Sequence, residues 1–116
     1  MKKIICIIVI SLLSGCVSVP NENKSVVKKL PPQLWSTHKE LNVNVSLCAL
    51  KGVSALKSLG FTSVVQNKNF VYGNFHDNRA AVKCVAKGKN SFVYLAVAGP
   101  DKNIVEKLRN EISWKM

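Results

Sequence analysis

Between Phe61 and Ala98 the chain alternates four short runs rich in Val, Phe, Tyr and Ala with three short polar breaks. No other feature constrains its fold as strongly. The runs are Phe61 to Val65, Asn69 to Phe75, Arg79 to Val85 and Ser91 to Ala98. β-Branched and aromatic side chains suit a pleated, half-buried surface, so each run reads as a strand. The breaks are Gln66-Asn67-Lys68, His76-Asp77-Asn78 and Lys87-Gly88-Lys89-Asn90, each too short for a crossover between parallel strands. Consecutive strands therefore pair as hairpins in an antiparallel meander.

A different period flanks the meander on both sides. Leu41-Asn42-Val43-Asn44-Val45 alternates apolar and polar residues and predicts a first, half-buried strand. Ser46 is placed to cap a helix running to about Leu59, with Gly60 just past its end. Cys48, Gly52, Ala55, Leu56 and Leu59 share one stripe of that helix, mostly small residues that permit close approach to a sheet. After Ala98, Gly99-Pro100-Asp101 breaks the last strand and opens a second helix with its negative charge at the favourable end. Ile104, Val105, Leu108 and Ile112 form its expected buried stripe, Lys107 and Arg109 suit its C-terminal half, and Trp114 is expected to close the core edge. The predicted order is strand, helix, four strands, helix. The expected fold is thus an α+β domain, an antiparallel sheet of four to five strands with both helices on one face.

The beginning of the chain is an address. Met1-Lys2-Lys3 supplies positive charge, Ile4 to Leu13 an apolar segment too short to span a bilayer, and small residues precede Cys16. Together these make a secretory signal. The ending Leu13-Ser14-Gly15-Cys16 resembles the lipobox of bacterial lipoproteins. The resemblance implies that residues 1–15 are cleaved and that Cys16 is lipidated on its thiol. It also implies an acyl group such as palmitate on the new amino group of Cys16. In that class, Asp directly after the modified Cys marks inner-membrane retention in many two-membrane bacteria. Val17 stands there instead, so the resemblance implies lipid anchoring at the periplasmic face of the outer membrane.

An exported location bears on the cysteines. Cys6 leaves with the signal and Cys16 takes lipid, so Cys48 and Cys84 remain. An even pair in a small domain in an oxidising compartment reads as a disulfide. Independent periodicities place both on the same layer: Cys48 on the helix stripe, and Cys84 with Ala80 and Val82 on one strand face. A metal reading fails because only His38 and His76 could complete a site with them, and no cofactor motif is present.

Residues 16–40 carry Pro20, Pro31 and Pro32, polar residues and Lys24, Lys28, Lys29 and Lys39, and read as a flexible tether preceding a domain over 41–116. Its lysines either form a hydrated spacer or lie against an anionic leaflet. Leu34 and Trp35 are unexpected in a tether and predict docking, onto the domain or onto the membrane interface. The formal charge is +11, of which Lys2 and Lys3 carry two, leaving +9 on the mature chain. That favours anionic partners, an acidic envelope protein or anionic lipid or polysaccharide, beside the membrane itself. Nucleic acid is disfavoured by the location and by the lack of an aromatic-interleaved basic motif.

The sheet face away from the helices is the candidate binding face, with Tyr72, Asn74, Lys83 and Tyr94 expected to line it. Catalysis is poorly provided for. His76 and Asp77 are adjacent, but in a turn, where such side chains diverge and such residues are common. Cys48, Gly60-Phe61, Val71-Tyr72-Gly73, Cys84 and Ala98-Gly99-Pro100-Asp101 look like patterns in small exported bacterial proteins without an assigned activity. The expectation is a non-enzymatic outer-membrane lipoprotein whose periplasmic domain binds an envelope component. The alternatives are an immunity protein or inhibitor of a periplasmic toxin or hydrolase, and a structural envelope factor without a protein partner.

Overall fold

The computed structural model describes residues 30–116. The signal segment, Cys16, Lys24, Lys28 and Lys29 lie outside the described residues. The unit Pro31–Met116 contains β1 (Gln33–Leu41), α1 (Val45–Ser58), β2 (Thr62–Asn67), β3 (Phe70–Phe75), β4 (Asn78–Lys87), β5 (Asn90–Gly99) and α2 (Lys102–Lys115). Strands β2 to β5 form the expected meander, and β1 adds beside β5, giving the order β1-β5-β4-β3-β2 with every pair antiparallel. The architecture is the α+β sandwich read from the sequence.

The meander turns are tighter than its polar breaks suggest. Each has two residues, and the first of each has positive φ: 58° at Lys68, 53° at His76 and 61° at Gly88. Such turns match the right-handed twist of the strands, so the paired ladders extend further into the polar breaks than the apolar runs indicate. Edge strand β2 is interrupted by a register shift between Thr62 and Val65, with Ser63 at φ 52°. A bulge of this kind breaks up an edge that could otherwise pair with another chain.

One face of the sheet is buried under the helices. Val71, Ala80, Val82, Cys84, Val93, Leu95 and Val97 meet Cys48, Ala49, Ala55 and Leu56 of α1 and Val105, Leu108 and Ile112 of α2. Each fully buried Val, Leu or Ile contributes about 1.5–3 kcal/mol before conformational entropy is subtracted. Gly52 sets how closely α1 can approach, since a Cβ there would lie 3.2 Å from Val82 Cγ1. One turn away, Cys48 and Cys84 form the expected disulfide, with Cα atoms 6.0 Å apart.

The first strand corrects the sequence reading. It covers 33–41, not 41–45, so the segment 33–40 expected as tether belongs to the sheet, and the domain starts earlier than residue 41. Leu41, Val43 and Val45 do reach the core, but as the turn into α1. Asn44, not Ser46, caps that helix, its side chain accepting from the Leu47 N–H at 2.9 Å. The inward positions of β1 are Gln33, Trp35, Thr37, Lys39 and Leu41, which conceal any apolar alternation.

Helix α2 supplies partners for strand β1. Lys39 Nζ donates to the Ser113 carbonyl at 2.8 Å, placing a cation at the helix C-terminus, where it is favoured. Arg109 Nη1 donates to the Ser36 carbonyl at 3.3 Å. Trp35 is half-buried beneath two cations, Arg109 Cζ at 5.4 Å and Lys102 Nζ at 5.7 Å from its ring. It thus docks on the domain as part of a strand. Trp114 does not close the core, being 82% exposed, and Ile104 is also exposed. The buried stripe is Val105, Leu108, Ile112 and then Met116, which keeps the three-to-four spacing that Trp114 breaks.

Candidate functional site

The sheet face opposite the helices is uncovered, and side-chain alternation decides what it presents. The strand register arranges its residues in rows across the sheet. Leu34, Ala98, Arg79 and Asn74 form one row; Ser36, Ala96, Ala81 and Tyr72 the next; His38, Tyr94, Lys83 and Phe70 the third. All four residues expected on this face are therefore on it.

The middle row is low because its residues are small. Two neighbouring depressions of about 220 and 230 Å³ share Ala81 and Ala96, one bordered by Lys83 and Tyr94 and the other by Leu34, Tyr72 and Arg79. They form one shallow trough with a nearly all-apolar lining. Asn74 borders neither depression. Leu34, 69% exposed, points to this face and not to the core. The alternation that selected Lys83 also selects Arg79 and Ala81, its neighbours in parity on β4; Leu34 was hidden in the apparent tether.

A ladder of aromatic rings and cations closes one end. The rings of Phe70 and Tyr72 stack at 5.7 Å and 2°, with Lys83 Nζ 4.9 Å from Phe70 and Arg79 Cζ 5.9 Å from Tyr72. Contacts of this type contribute about 0.5–1 kcal/mol each when exposed and limit where the cations can point. Towards the β1 side, His38 stacks on Phe92 at 5.4 Å, and Phe92 meets Tyr94 edge-on at 4.9 Å.

Charge on this face is one-sided. Among the described residues the only carboxylate on a strand is Glu40, which pairs with Lys87 at 2.9 Å at the far corner. Among the described residues neither Arg79 nor Lys83 has a carboxylate partner. Such a surface attracts an anion.

The other candidates are less organised. His76 and Asp77 are the two central residues of the β3–β4 turn, both exposed, with the His76 ring edge-on to Phe75 at 4.7 Å. No three His, Cys, Asp or Glu side chains among the described residues cluster as a metal site. Trp114 lies on the outer side of α2 beside Glu106, Lys107 and Glu111, a surface of mixed charge. Cys48 and Cys84 are buried in their disulfide.

No protein-family model matches the chain, and no curated protein or solved structure matches it either. No helix among the described residues is long and apolar enough to cross a membrane.

Proposed function

We propose that this chain is a non-enzymatic lipoprotein, anchored through Cys16 at the periplasmic face of the outer membrane, whose domain binds an anionic envelope component. The observation that carries the binding role is the open sheet face. It combines an apolar trough, stacked aromatic rings and two cations without carboxylate partners among the described residues. An ordinary solvated sheet face has little reason to keep Leu34, Val65, Val85 and Tyr94 exposed together on one side. The anchoring rests on the likeness of Leu13-Ser14-Gly15-Cys16 to a lipobox.

The test is affinity capture from envelope extract with the immobilised mature chain at low and high salt. Wild type is expected to retain a saturable component that is lost as salt rises, and Lys83→Glu is expected to lose it at low salt. Equal retention by Lys83→Glu would overturn the assignment of the face. A second reading, an immunity protein or inhibitor, is favoured by the same cations if the partner has an acidic cleft. In that case one stoichiometric protein is captured, and its activity falls on binding.

A further inference from the structure

We infer that the trough is a binding site for a single-chain anionic amphiphile, its alkyl chain over Ala81 and Ala96 and its carboxylate or phosphate held by Arg79 and Lys83. This rests on the reading of the open face as the binding surface and names the ligand class.

Arg79 and Lys83 stand two residues to either side of Ala81 on the same face of β4, about 7 Å from it along the strand. Both side chains are long enough to reach an anion placed above Ala81. The rings of Tyr72 and Phe70 support them from the β3 side and close the trough there. From Ala81 the floor runs across β5 at Ala96 to Ser36 on β1, two strand spacings or about 10 Å, and opens at the sheet edge. Leu34 and Tyr94 flank it.

The lining discriminates between an alkyl chain and a peptide. Strands β4 and β5 are central and paired on both sides, so the floor over Ala81 and Ala96 offers no free backbone N–H or C=O. A peptide laid over Ala81 and Ala96 would give up hydration of its own amides there without replacement, a penalty for each one left unpaired. An alkyl chain has no such groups. A cationic or neutral head would leave Arg79 and Lys83 unanswered, and the one carboxylate on the strands among the described residues, Glu40, is already paired with Lys87.

The test is a titration of the isotope-labelled mature chain, carrying Cys16→Ser, with laurate below its micelle-forming concentration, followed by amide chemical shifts. Saturable shifts are expected at Ala81, Ala96 and Tyr94. Dodecyltrimethylammonium, with the same chain and the opposite charge, is expected to bind at least about tenfold more weakly. Arg79→Ala and Lys83→Ala should each weaken laurate roughly fivefold. Ala96→Leu, which fills the trough from the solvent side, should remove the saturable shifts while the other amides show an unchanged fold. Equal affinity for the two amphiphiles, or laurate binding that survives Ala96→Leu, would overturn the proposal. If laurate fails to bind while Ala96→Leu still abolishes capture from envelope extract, the ligand class is wrong and the open face stands as the binding surface. If neither laurate nor capture responds to Ala96→Leu, both readings fall.

Discussion

The side-chain amide of Asn78 is packed against the α-carbon of Gly99, so closely that a Cβ on Gly99 would lie 2.8 Å from Asn78 Cγ and overlap Oδ1. Asn78 Nδ2 donates to the Phe75 carbonyl at 2.9 Å across the β3–β4 turn, while its buried Oδ1 has no partner among the described residues. The start of β4 and the end of β5 therefore fit only with glycine at 99. Gly99→Ala is expected to cost about 2 kcal/mol in urea unfolding. The same substitution in an Asn78→Ala background should cost clearly less, with a coupling above about 1 kcal/mol. Additive effects would show that the contact is not what requires the glycine.

The disulfide ties α1 to β4 across the core, closing a sequence separation of 36 residues. In the chain-entropy account, a loop of this length stabilises by about 3–4 kcal/mol. Replacing Cys48 and Cys84 together by Ala should lower the melting temperature by ten degrees or more, on the order expected for a domain of this size. Thermal unfolding followed by circular dichroism reads this directly, and an unchanged midpoint would contradict it.

The two tryptophans report on the corrected boundaries. Trp35 is half-buried under Arg109 and Lys102, and Trp114 is 82% exposed. Emission from a Trp114→Phe variant should be blue-shifted and protected from acrylamide, and emission from Trp35→Phe red-shifted and readily quenched. The reverse pattern would return residues 33–40 to a tether.

What could be read in advance follows from which interactions are local. The meander was legible because its apolar runs and short breaks are neighbours in sequence, and the cysteine pair because each lay on a simple period. Strand β1 was not, since its inward Lys39 is satisfied by the Ser113 carbonyl and its Trp35 by cations from α2, partners far along the chain. The end of α2 was misread because an aromatic residue at 114 suggested burial, whereas the helical repeat carries the stripe from Ile112 to Met116. On the open face, alternation identified Tyr72, Lys83 and Tyr94. The trough between them needed the register that aligns Ser36, Ala96 and Ala81.

Anchoring is separable from folding. Cys16→Ser should move the chain from the membrane to the soluble envelope fraction, with its melting temperature unchanged. Retention in membranes at high salt would defeat lipidation at that residue.

The most direct measurement of the binding role is photo-crosslinking in cells, with a photoreactive residue placed in turn at Tyr94 beside the trough on the open face, at Leu50 on α1 and at Trp114 on α2. Leu50 and Trp114 are exposed on the helical side, at 55% and 82%. The account predicts a discrete adduct from position 94 and none from 50 or 114. Adducts from the helical positions with none from 94 would contradict it.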